Sequence, residues 1–113
     1  MKAVVVARAG GPEVLEVREV PDPIAKPGEV IVRVEAAGVN FADTMSTRGT
    51  YKSTPPPPFI SGREFAGVVE GTQERVMGYA QYGAAAEKIA ISRKMIWVSQ
   101  KTSAPICRTG VRR

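Results

Sequence analysis

The stretch Glu29-Val30-Ile31-Val32-Arg33-Val34-Glu35-Ala36-Ala37-Gly38-Val39-Asn40 decides how the chain is built. Val30, Val32, Val34 and Ala36 share one face of an extended segment, and Ile31, Arg33 and Glu35 share the other. That is the period of two of a β-strand. Gly38-Val39-Asn40 ends the strand. Asn40 is suited to cap a short helix, with Asp43 three residues on, near the positive end. Phe41 and Met45 are four residues apart and are expected to face the core together. Gly49 is the expected stop.

Working outward, residues 2–7 are rich in valine and read as a buried strand. Gly10-Gly11-Pro12 breaks it. Residues 15–20 alternate imperfectly, and Pro21, Pro23 and Pro27-Gly28 then impose a loop that cannot donate to a ladder. Beyond the helix, residues 50–58 form a loop, and the prolines at 55–58 have the stiff spacing of polyproline II. Residues 65–70 read as another buried strand, 71–74 as a tight turn and 75–79 as the returning strand. The stretch 79–91 is ambiguous: Ala84-Ala85-Ala86-Glu87-Lys88 has helical propensity, yet Ile89 and Ile91 alternate. Trp97 and Val98 end the apolar pattern. Short strands, frequent turns and one short helix predict a mainly β, barrel-like domain. No internal repeat is present.

At 113 residues the chain is one domain in size, and 43% hydrophobic with 24% charged residues is globular composition. Histidine is absent, so no imidazole serves as base, acid or metal ligand. The single cysteine, Cys107, excludes an internal disulfide framework and a CxxC metal site, and a reducing cytoplasmic setting is the default. The longest apolar run, residues 3–7, is far too short to span a bilayer, and no signal peptide is expected. The net charge of +5 is unevenly held. Residues 1–87 carry nine basic and eleven acidic side chains, a balance of −2, whereas 88–113 carry seven basic and no acidic ones, a balance of +7. Such a tail suits nucleic acid or an anionic surface. A solvated terminus is the preferred reading, because no aromatic residue follows Trp97 to stack on bases. No GxGxxG or GxxxxGK[ST] motif is present, so the chain shows no site of its own for a nucleotide pyrophosphate.

Two segments, Gly38-Val39-Asn40-Phe41-Ala42-Asp43 and Ser61-Gly62-Arg63-Glu64-Phe65-Ala66-Gly67-Val68, carry a resemblance. So do Met1-Lys2-Ala3-Val4-Val5-Val6, Gly10-Gly11-Pro12-Glu13-Val14-Leu15, Pro27-Gly28-Glu29-Val30, Arg75-Val76 and Gly78-Tyr79-Ala80-Gln81-Tyr82. In their order and spacing they are similar to the medium-chain dehydrogenase/reductase superfamily, and within it to the zinc-free quinone oxidoreductases of the zeta-crystallin kind. The resemblance covers most of residues 1–98. It implies a GroES-like catalytic domain there, with 99–113 as an unmatched basic tail. Relatives add a Rossmann domain that binds NADPH, and the active site is the cleft between the two. That second domain is missing here.

The resemblance also implies a chemistry. Zinc-dependent relatives have a cysteine at the position of Asn40 and a histidine at the position of Arg63. An amide and a cation leave Glu64 as the lone ligand, too few for a catalytic zinc. Hydride from NADPH then passes to a quinone or conjugated carbonyl without metal. Asn40 and Tyr51 are the implied catalytic groups, each able to donate toward the acceptor oxygen as charge develops. Asn40, Phe41, Asp43 and Tyr51 are implied to line the substrate cleft, with Asn40 and Tyr51 also meeting the nicotinamide end of the cofactor.

Each residue has a plainer reading beside this one. Asn40 serves equally as a helix cap, Asp43 as a helix-end acid and Tyr51 as a surface anchor. Arg63 and Glu64 are read as a structural ion pair or backbone contacts, and Tyr79 and Tyr82 as packing residues. Three departures from the family stand out: a shortened segment between Glu70 and Arg75, the unmatched residues after Val98 and the missing nucleotide domain. They suggest a truncated or frameshifted member that is inactive alone. The alternative is a small β binding module that engages a partner through its basic tail or its 55–58 proline loop. No nucleic acid or membrane partner is favoured, and oligomeric state, NADPH against NADH and the substrate's identity stay open.

Overall fold

The structure is a computed structural model and describes residues 1–52 and 54–99. Eight strands are joined around one helix: β1 (Lys2–Val6), β2 (Leu15–Glu19), β3 (Glu29–Ala37), α1 (Phe41–Arg48), β4 (Phe59–Ile60), β5 (Glu64–Val69), β6 (Arg75–Tyr79), β7 (Lys88–Ser92) and β8 (Ile96–Val98). They form a three-stranded sheet in the order β2-β1-β4 and a five-stranded sheet in the order β7-β3-β5-β6-β8. Every pairing is antiparallel. This is a mainly β, GroES-like domain with one short helix, as the sequence predicts. Apart from Ser99, the basic tail lies outside the described residues, as does Cys107.

The β3 alternation works as read. Val32 is fully buried, and Val30 and Val34 pack against the same core. Arg33 and Glu35 face out. That core is completed by Phe65, Val69, Val76, Ala80, Ala84, Ile89 and Ile91. A second cluster of Ala3, Val5 and Ala86 and a third of Val6, Val14 and Phe59 sit under the smaller sheet.

The shortened turn keeps its register. Val69 N–H donates to the Glu74 carbonyl at 2.9 Å, and the Thr72 hydroxyl donates to the Val69 carbonyl at 2.8 Å. Gly67 therefore opposes Val76 and Val68 opposes Arg75. Val76 points into the core at 1% exposure, while Met77 and Tyr79 point out. A one-residue slip would reverse those faces.

One expectation is corrected and two open readings are resolved. Residues 84–86 form no helix: Ala84 and Ala86 are buried, and Ala86 bridges Ala3. Burial of small side chains between the sheets overrides local helix propensity there. Phe41 and Met45 do not face the core together. Phe41 is 77% exposed, and the buried face of α1 is Asp43, Ser46 and Thr47. The helix lies against the Gly10-Gly11 loop, where Gly10 N–H donates to the Thr47 carbonyl at 2.9 Å, so small polar side chains fit and an aromatic ring does not. Arg63 and Glu64 form no ion pair among the described residues. Gly49 ends α1 as expected, at φ 80°, a left-handed conformation that glycine takes without a Cβ penalty.

Candidate functional site

The candidate residues lie on the segment leaving β3 and on the loop after α1. Asn40 is the N-cap of α1, in extended backbone, and is exposed. Its backbone N–H donates to an Asp43 carboxylate oxygen at 2.7 Å. Asp43 is thereby buried at 7% exposure, with its charge at the positive end of the helix. Asp43 thus holds the geometry of the cap, and the Asn40 amide stands at the surface beside exposed Val39 and Phe41.

Tyr51 is half-buried on the following loop. Its ring meets the guanidinium of Arg63, whose carbon lies 4.8 Å from the ring centroid. The same carbon is 5.7 Å from the centroid of Tyr79. Arg63 also donates to the Gln81 carbonyl at 3.1 Å and the Tyr79 hydroxyl at 3.4 Å. It is 9% exposed, the one buried cation among the described residues. The structure therefore brings together Asn40 with Asp43, and Tyr51 with Arg63. No hydrogen bond joins the two pairs among the described residues.

Sequence reasoning offered Arg63 an ion pair with Glu64 or backbone contacts; the Gln81 carbonyl supplies the backbone contact, and the place of Arg63 between Tyr51 and Tyr79 was missed. The available signal was its setting: a cation between glycine and the buried run at 65–69, with tyrosines on neighbouring segments. Tyr82 packs edge-on against Phe59 at 6.2 Å between centroids and is half exposed.

Two cavities flank the segment from Gly38 to Thr47. An open one of about 570 Å³ is lined by Gly38, Val39, Glu64, Met77 and Trp97, among others. A smaller one of about 200 Å³ lies between the Gly10-Gly11 loop and Asp43, Thr44 and Thr47 of α1. Val39 lines both, and Asp43 lines the smaller; Asn40 follows Val39 in the chain, but neither it nor Tyr51 is among the lining residues of either cavity. No group of three His, Cys, Asp or Glu side chains converges among the described residues. No helix among them is long and apolar enough to cross a membrane.

The fold and these segments match known proteins. Residues 26–84 match the family model of the alcohol dehydrogenase GroES-like domain. The chain is 36% identical over 104 residues to a quinone oxidoreductase of Lama guanicoe, covering 77% of this chain and 32% of that protein. It superposes on the quinone oxidoreductase of Thermus thermophilus, a structure also described in complex with NADPH. The TM-score is 0.83 at 41% identity, over 93% of this chain and 34% of that one. The human synaptic vesicle membrane protein VAT-1 homolog-like protein gives a TM-score of 0.85 at 31% identity, over 89% of this chain and 36% of that one. The chain thus spans about a third of the length of these relatives. It belongs to the alcohol dehydrogenase GroES-like domain family and, within the medium-chain dehydrogenase/reductase superfamily, is a quinone-oxidoreductase-like N-terminal segment.

Proposed function

We propose that this chain supplies the acceptor-facing half of an oxidoreductase that uses NADPH to reduce a quinone or a conjugated carbonyl. The observation that carries the reading is the roomy cleft lined by Gly38 and Val39, the two residues that lead into exposed Asn40, inside the segment that matches the family. Residues 1–98 form the GroES-like unit, 99–113 lie beyond it, and the setting is cytoplasmic.

The cleft of about 570 Å³ admits a nicotinamide ring, and Asn40 follows two of its lining residues, Gly38 and Val39, in the chain. The pyrophosphate end does not suit α1, because the Asp43 carboxylate already occupies that helix's positive end. The cofactor, when bound, supplies the hydride. This chain's own part is to hold the acceptor. Asn40 and Tyr51 donate hydrogen bonds to the carbonyl oxygen as it gains charge, and Phe41 and Val39 cover its apolar body. Asp43 acts through Asn40 by fixing the cap.

Zinc does not suit the residues present. Asn40 offers a weak neutral ligand, and the Arg63 guanidinium is a fixed positive charge that opposes a divalent cation. The chemistry is therefore read as metal-free.

The test is a fusion of a nucleotide-binding domain from a quinone oxidoreductase after Val98. NADPH oxidation with a quinone is expected in the fusion, whereas residues 1–113 alone are expected to show no micromolar NADPH affinity by calorimetry and no turnover. An inactive, well-folded fusion that binds NADPH overturns the reading.

A further inference from the structure

Arg63 is short of a negative charge. Its guanidinium stays protonated in proteins, yet it is 9% exposed and has no carboxylate within ion-pair distance among the described residues. Its protein partners are all neutral: the Gln81 carbonyl, the Tyr79 hydroxyl and the rings of Tyr51 and Tyr79. Those hydrogen bonds use two N–H groups. An arginine side chain has about five to offer. The neighbouring acid, Glu64, is exposed and lines the open cleft instead. Burial of a cation with only neutral partners is costly, and one that is kept calls for an anion.

The surroundings admit one. Gln81 is exposed and Tyr79 is 45% exposed, so two of the residues that partner Arg63 reach the surface. Tyr51 stands on a loop rather than in a sheet. Further along that loop, Thr54 carries a buried hydroxyl with no hydrogen-bond partner among the described residues.

We propose that Arg63 is an anion-binding site on the acceptor side of the domain, and that its ligand is a carboxylate. The planar fork of a guanidinium matches the two oxygens of a carboxylate, and the flanking tyrosine rings suit a flat, conjugated body attached to it. The acceptor is then a conjugated carbonyl compound that also bears a carboxylate. That last step rests on the function proposed above; the anion site does not.

The experiment titrates the whole 113-residue chain with sodium benzoate at low salt, following by ¹⁵N NMR the Arg63 side-chain Nε–Hε resonance in the wild type and the backbone amides of Tyr51, Tyr79 and Gln81 in every variant. Benzamide is the neutral control. Benzoate is expected to shift that resonance saturably, and benzamide at least about tenfold more weakly, since only the former carries the charge the fork pairs with. Arg63→Lys is expected to weaken benzoate binding about tenfold, because it keeps the charge and loses the fork. Arg63→Gln is expected to abolish it. If Arg63→Gln does not fold, Tyr51→Leu replaces it: the cation remains, and the benzoate-induced shift persists with reduced affinity. Absence of a saturable shift, equal affinity for benzamide, or unchanged affinity in folded Arg63→Gln overturns the proposal. Benzoate binding to a chain whose fusion reduces no quinone or enone would keep the anion site and reject only the reductase reading. An active fusion with no benzoate site would do the reverse.

Discussion

The Asp43 carboxylate accepts the backbone N–H of Asn40 at 2.7 Å, three residues back across the start of α1. One buried acid thus fixes the exposed amide through the main chain. Replacement by alanine orphans that donor and removes a negative charge from the positive end of the helix. Asp43→Ala is expected to cost about 1–3 kcal/mol, and Asp43→Asn less. Urea unfolding of the two variants checks the order; equal stability of Asp43→Ala and wild type would remove the cap from the account.

Gly67 of β5 stands opposite Val34 of β3, and a methyl group there would run into the Arg33 carbonyl. Backbone cannot yield as a flexible side chain can. Gly67→Ala is expected to destabilise by about 1–3 kcal/mol. Gly71→Ala, in the exposed turn, meets no neighbouring atom and is strained only through its φ of 82°. Thermal melts of the pair are expected to rank Gly67→Ala lower.

Stability is expected to hold on a plateau and fall at both ends of the pH scale. Hydrogen bonding to the Met1 ammonium, then to Lys88, holds the Asp22 carboxyl below its ordinary 3.8. Backbone hydrogen bonds from its own and the Gly11 N–H hold Glu13 below 4.5. These contributions are present above those values and vanish as pH falls through the lower folded ones. Hydrogen bonds to Glu19 and Asp22 hold the Met1 ammonium above 8.0, so its contribution is complete below 8.0 and vanishes as pH rises through the higher folded value. The groups are at the surface, so added salt flattens both limbs. Asp22→Asn is expected to remove part of each limb; urea midpoints that show the same pH dependence for the variant would contradict the assignment.

In the fusion described above, Tyr51→Phe keeps the ring against Arg63 and removes the hydroxyl. Turnover is expected to fall about 100- to 1,000-fold with little change in unfolding midpoint, the scale of a lost donor to a developing oxyanion. Asn40→Ala is expected to act similarly on turnover, with an added stability loss of about 0.5–2 kcal/mol because it also replaces the N-cap of α1. A fall in activity that tracks a fall in stability would make both residues structural.

The sheet-forming stretches were legible because their alternation is strong. Val30, Val32 and Val34 can bury one face only as an extended strand, and the 71–74 turn is short enough to leave one register. Residues 84–86 stayed ambiguous because three alanines carry helix propensity and no partner preference; Ala3 across the gap decides their state, and it lies far away in sequence. Phe41 misled because i, i+4 spacing names a shared helix face without saying what covers it. Asn40, Asp43 and Tyr51 were found through family likeness. Arg63 was named with its sequence neighbour, since nothing local shows that Tyr51 and Tyr79 close on it in space.

The pairings also order the folding events. β5 and β6 are joined by a short turn and zip from Val68 and Arg75 outward, a closure of microseconds. β3 must instead find Ile91 and Ser92 from Glu29 and Val30, across most of the chain. Such distant contacts lose loop entropy before they gain any packing, so β3–β7 pairing, with the still longer-range Ala3–Ala86 bridge, is expected to fall in the slow step. Substitutions in the β5–β6 hairpin are therefore expected to leave the refolding rate nearly untouched, and those at Val32 or Ile89 to slow it.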